Sequence, residues 1–191
     1  MNKIKNTHDN FLANFVLKGF TSILIGVYIL LGSYLIKLIL NGFLVDGNPM
    51  GFMSPQIIEI LISTIAFLVF LFSSFALFFS GRRIARKFRF KLWNGKTKTT
   101  FIEYILFVIL IFVTLFLLTK EGFIDFLTPA FLLLYGVLLI ILRKTKNINL
   151  LILALISFLL AILCYVIPSY WYSALSILGI GHIVYGLVVR N

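Results

Sequence analysis

Long apolar runs, broken at intervals by short polar or basic stretches, set the rhythm of this chain. About 20 apolar residues carry a helix across a hydrocarbon core of roughly 30 Å. Six runs reach or approach that length: Phe15 to Leu40, Ile57 to Ser80, Phe101 to Thr119, Phe123 to Leu142, Leu150 to Ile167 and Tyr170 to Val189. The fifth and sixth are divided only by "PSYW" around Pro168. About 40 residues cannot cross a bilayer once, and a proline beside aromatic residues marks an interfacial turn, so two helices are expected there. The pattern predicts an all-α, polytopic bundle of six transmembrane helices forming one domain over residues 1–191. The first run, from Phe11 to Leu40, is longer than the roughly 7 to 15 residues of a signal-peptide core and lacks a small-residue cleavage site, so it reads as a retained helix.

The breaks between the runs set the expected orientation. With a cytoplasmic N-terminus, the inner segments hold Lys3, Lys5, Arg82, Arg83, Arg86, Lys87, Arg89, Lys91, Lys96, Lys98, Arg143, Lys144, Lys146 and Arg190. The outer side holds Lys120, with Lys37 at a helix end. That asymmetry predicts that both termini are cytoplasmic. The outer connections are "NGFLVDGNPMGFMSP", "KEG" and the Pro168 turn, and none is long enough for an independent domain. The largest inner connection, the basic cytoplasmic loop 81–100, has eight basic and no acidic residues over positions 81–99. It reads first as a positive-inside connection. Its Ile84, Ala85, Phe88 and Leu92 also fall on one helical face, which would let a helix lie in the headgroup layer with Trp93 as anchor. On either reading, Arg82, Arg83, Arg86, Lys87, Arg89, Lys91 and Trp93 are the candidate contacts for anionic lipid or a protein partner.

Composition agrees with the membrane reading. Hydrophobic residues make up 61% of the 191 and charged residues 12%, with 21 phenylalanines; soluble domains carry about twice that share of charge. A net charge of +11 would suggest nucleic acid in a soluble protein. Here the basic residues lie between apolar runs, so they report topology and lipid contact, and nucleic acid is not the expected partner. A single cysteine, Cys164, forms no internal disulfide, and two histidines, His8 and His182, supply no metal cluster. No cofactor or metal is expected.

Chemistry at membrane depth needs ionisable groups, and they are scarce. A charge there costs about 2.5 to 3.5 kcal/mol even on the permissive insertion scale. Lys18, Lys37, Glu59 and Glu103 all lie near run ends, where their stems reach the interface. The carboxylates of a proton-coupled transporter, an aspartyl intramembrane protease or a headgroup transferase have no counterpart at suitable positions, nor does a phosphate-cradling loop. His182 is the exception, within "GIGHIVYGLVVR". Counting back from Arg190 puts it about 12 Å inside the inner boundary. Apolar surroundings favour its neutral form, which still offers one donor and one acceptor to Tyr or Ser hydroxyls of neighbouring helices. An interhelical hydrogen bond is the first expectation. A pore or ligand cavity comes second, with Tyr135 and Tyr185 beside His182 as the candidate polar site. A catalytic base comes third, because Ser173 and Ser176 show no nucleophile motif. Small-xxx-small pairs at Ser22 and Gly26, Ala76 and Ser80, and Ser157 and Ala161 allow close helix packing.

Four motifs carry a resemblance across most of the chain: "LKGFTSILIGVYILLGSYL", "KLWNGKTKTTFI", "LTPAFLLLYGVLLI" and "ILGIGHIVYGLVV". In that order they resemble a family of small uncharacterised six-helix inner-membrane proteins of Bacteroidetes-type bacteria. Pro129, Tyr135, Gly136, His182, Tyr185 and Gly186 match positions that recur in it, while "RKTKNIN" departs from the pattern. The resemblance implies six helices and a bacterial inner membrane, with no activity to transfer. Through length and glycine-rich helices the chain is also similar to the six-helix acid-resistance membrane proteins.

The leading functional expectation is a non-enzymatic membrane protein acting as a regulatory, accessory or stress-response component, in a homo-oligomer or larger complex. The alternative is a small channel or transporter with a polar path near His182.

Overall fold

The computed structural model describes residues 17, 19–45, 48–49, 54–87, 93, 95–142 and 148–189. Six long helices account for most of them: α1 (Phe20–Phe43), α2 (Pro55–Lys87), α3 (Gly95–Lys120), α4 (Leu127–Leu142), α5 (Ile148–Val166) and α6 (Trp171–Val188). Single 3-10 turns at Ile124–Phe126 and Pro168–Tyr170 lead into α4 and α6. A two-residue antiparallel ladder, Leu44–Val45 (β1) with Asn48–Pro49 (β2), follows α1. Five helical segments are long and apolar enough to cross a membrane, and the apolar part of α5, Leu150–Val166, is shorter. The protein is therefore an all-helical, multi-pass membrane protein in its architecture.

Local chemistry explains where the helices stop. α3 ends in a Schellman motif: Gly122 takes φ 77°, the Phe123 amide donates to the Leu118 carbonyl at 2.9 Å, and the Gly122 amide donates to that of Thr119 at 3.1 Å. Only glycine occupies that left-handed position without strain. Between α5 and α6, Pro168 heads a 3-10 turn rather than continuing the helix, as its missing amide requires.

One expectation is corrected. The basic segment 81–100 is neither a plain connection nor an in-plane helix over its described length. Residues 81–87 continue α2 without a break and Gly95–Thr100 open α3. The run "RRIARK" contains good helix formers and no proline, so nothing stops a helix already propagating. At 33 residues, α2 is about 50 Å long. That exceeds a hydrocarbon core, so its basic end projects beyond the apolar zone. Arg82, Arg83 and Arg86 are exposed there. The backbone of Lys87 is helical, while its side chain, together with Phe88, Arg89, Lys91 and Leu92, lies outside the described residues. Trp93 is 44% exposed and meets Phe101 edge-on, 5.4 Å between centroids.

The helices form a closed sequence of neighbours in which α2 packs on α1, α1 on α6, α6 on α5, α5 on α4 and α4 on α3. The first and last helices are thus partners, and α1–α6 is the most extensive of these contacts. α2 and α3 complete the circuit mainly through side chains: Phe112 of α3 lies edge-on to Phe67 and Phe70 of α2. The buried interior gathers Ile25, Ile29, Ile111, Leu132, Leu138 and Leu178. Outward, α2 and α3 expose Phe72, Phe75, Phe79, Leu106 and Phe116. Such a surface is stable against hydrocarbon and not against water.

Candidate functional site

His182 lies at the centre of the bundle, with no exposed surface. Glycines and a serine bring its helix against α1. A Cβ on Gly26 would collide with the Gly179 carbonyl, and one on Gly179 with Leu30. One on Gly186 would collide with the Gly19 carbonyl. The two backbones therefore touch, as small residues permit in lipid. At the end of this contact the Gly19 amide donates to the Val189 carbonyl, 3.0 Å. The small-xxx-small pair Ser22 and Gly26 is thus an α1–α6 contact surface.

Three helices then meet on one imidazole. The Tyr135 hydroxyl of α4 lies 2.7 Å from His182 Nε2. The Ser22 hydroxyl of α1 lies 3.2 Å from Nδ1 and donates to the His182 backbone carbonyl at 2.9 Å. These contacts assign the tautomer. Ser22 has one proton, which the carbonyl takes, so Nδ1–H donates to Ser22 Oγ and Nε2 accepts from Tyr135 O–H. Each of the three donors then has its own acceptor. With the other tautomer the Tyr135 proton would lose this partner. Phe131, stacked on Tyr135 with 5.6 Å between centroids, fixes the phenol from its other side.

Of the candidate trio, His182 and Tyr135 come together and Tyr185 does not join them. Its hydroxyl donates to the Leu17 carbonyl at 3.1 Å, a second tie between α6 and the start of α1. Ser173 and Ser176 do not bond to His182; the serine at the imidazole is Ser22, a partner that reading α6 alone could not supply. The signal that could have found it was the pairing of Ser22 with Gly26, a polar group on a face built for close approach. A comparable bond, Ser157 to the Leu132 carbonyl at 2.6 Å, joins α5 to α4. There Phe158 fills the space that a Cβ on Gly136 would need.

Chemically, Ser22 and His182 look at first like a nucleophile beside a base. The geometry opposes that use. Both residues have no exposed surface, the Ser22 proton is directed at a backbone carbonyl, and the imidazole nitrogens are both occupied. The arrangement works as a clamp on α1, α4 and α6. Among the described residues no group of three or more His, Cys, Asp or Glu is placed to hold a metal, and Cys164 is a buried free thiol. At the outer end expected from the loop charges, Lys37 lies over the Tyr172 ring, 4.1 Å from its centroid, a cation–π contact suited to an interface.

Comparison with family models, with curated proteins and with solved structures returns no match.

Proposed function

We propose that the protein is a non-enzymatic accessory or regulatory component of a bacterial inner membrane. In this reading the chain crosses the membrane six times with both ends inside and acts through its outer surfaces on lipid or a protein partner. The observation that carries the reading is the closed Ser22–His182–Tyr135 clamp. The most polar group at mid-depth is spent entirely on holding three helices together. What is left for recognition is the exterior: the basic end of α2 with Arg82, Arg83 and Arg86, and the apolar faces of α2 and α3. The sixth crossing is supported by α5 packing along α4 and α6, and the orientation by the loop charges. The motifs that resemble six-helix inner-membrane proteins support the compartment.

The test compares wild type and His182→Ala reconstituted in liposomes. Ion and dye flux should stay at the level of empty vesicles for both. The wild type should carry a stoichiometric partner through purification that is lost when Arg82, Arg83 and Arg86 are changed together to Ser. Flux that depends on His182 would replace this reading with a channel or transporter.

A further inference from the structure

Packing and hydrogen bonding both fall short in the space enclosed by α1, α2, α3 and α4. A cavity of about 40 Å³ lies there, walled by Ile29, Val69, Phe70, Ser73, Tyr104 and Leu138 among others, with no charged side chain in its lining. A second, of about 30 Å³, adjoins it towards Thr100 and Phe101. Tyr104 and Leu77 line both, so they form part of the partition between the two.

Ser73 gives the larger cavity its chemistry. It is 7% exposed, and among the described residues its hydroxyl has no hydrogen-bond partner. Several other hydroxyls on these two helices are satisfied locally: Thr64, Ser74, Thr114 and Thr119 each donate to the carbonyl four residues back. A hydroxyl left unsatisfied among hydrocarbon is costly, and a ligand with one complementary group removes that cost. Water suits the site poorly, because a buried water needs two to four polar partners and these walls are almost entirely carbon. Ions are excluded for the same reason, with no opposite charge to meet them.

The route in is lateral. α2 and α3 touch through Phe67, Phe70 and Phe112, and the Ser74 and Tyr104 hydroxyls lie 2.7 Å apart across them. Their backbones do not interlock as those of α1 and α6 do. Rotamer changes of these rings would be needed to open a slot there towards the bilayer.

We propose that the cavity behind the α2–α3 seam binds the hydroxyl end of a membrane-dissolved alcohol, an uncharged molecule with an alkyl body. Ser73 is its hydrogen-bond partner, and the alkyl chain runs outward between the two helices. Only the hydroxyl and the first carbons need fit the cavity, and the remainder stays in hydrocarbon. The site goes beyond the accessory role and does not rest on it.

Photolabelling with a diazirine-bearing 1-octanol tests this on the full chain in phospholipid nanodiscs. Labelling should saturate, be competed by plain 1-octanol, and map to Phe70, Tyr104 and Leu138. Ser73→Ala should weaken apparent affinity about fivefold, as expected for one lost neutral hydrogen bond. Ser73→Leu should fill the cavity and abolish the saturable component. A diazirine-bearing octane without the hydroxyl should bind wild type no better than the alcohol binds Ser73→Ala. Labelling that never saturates, or that stays on lipid-facing side chains such as Phe116, overturns the proposal. Wild-type labelling alone decides between these results, so a poorly folded Ser73→Leu chain leaves the test intact. Flux and partner capture are read separately and are not altered by either result.

Discussion

The α1–α6 contact and the α2–α3 seam are both meetings of apolar helices, yet they pack in opposite ways. At α1–α6, Gly26, Gly179 and Gly186 remove side chains from the contact, backbones touch, and Ser22 and His182 bond across it. At α2–α3, phenylalanine rings meet between the helices, and the Ser74 and Tyr104 hydroxyls bond across them. Lipid competes with apolar side chains on equal terms, so hydrophobicity alone does not press two helices together. Close association needs small residues and internal polar partners. The first pair has both and the second has little of either.

The sharpest way to break the contrast is Gly26→Leu. Even its Cβ would enter the space of the Gly179 carbonyl and the His182 Cβ, so a loss above about 3 kcal/mol is expected. It should appear as a large fall in Tm by circular dichroism in detergent, or as no folded yield. Next comes His182→Ala, which empties a fully buried site and leaves the Tyr135 hydroxyl without its partner. About 2 to 3 kcal/mol should be lost in SDS-driven unfolding. Tyr135→Phe keeps the ring stack on Phe131 and removes one hydrogen bond, for about 1 kcal/mol in the same assay. A double-mutant cycle with His182→Ala should show that these two effects do not add. Ser74→Ala at the seam should cost about 0.5 kcal/mol or less. Smallest of all is Phe116→Ala, facing lipid at 68% exposure, where a change within about 0.5 kcal/mol is expected. A Ser74→Ala loss as large as that of Tyr135→Phe would erase the distinction between the two regions.

Much of the architecture could be read from the apolar runs, because run length against bilayer thickness is a strong constraint. The turn at Pro168 was legible for the same reason, since proline leaves a helix few alternatives. The start of α3 was not. Glycine at position 95 and polar residues through Thr100 resemble a loop, and the helix there depends on packing that buries Thr97 and Thr100. The continuation of α2 through Gly81 to Lys87 is harder to read, because the apolar run ends at Ser80 and the helical face of Ile84 and Ala85 suits a separate helix in the headgroup layer equally well. In the site, a buried His182 bonded to Tyr135 was within reach of sequence, since an imidazole in an apolar helix must find hydroxyl partners. That Tyr185 would turn instead to the Leu17 carbonyl depends on the rotation of α6 about its axis. Nothing in a single helix's pattern sets that angle.

The pairing of the first helix with the last has a consequence for biogenesis. Ser22 and His182 are separated by 160 positions. At about 5 to 20 residues per second of synthesis, the leading helix waits roughly 10 to 30 s for its counterpart to leave the ribosome. Throughout that interval its glycine-and-serine stripe faces acyl chains or an insertion factor. Assembly of this bundle therefore finishes only after the sixth helix has been made, and a chain truncated before that helix has no means of closing.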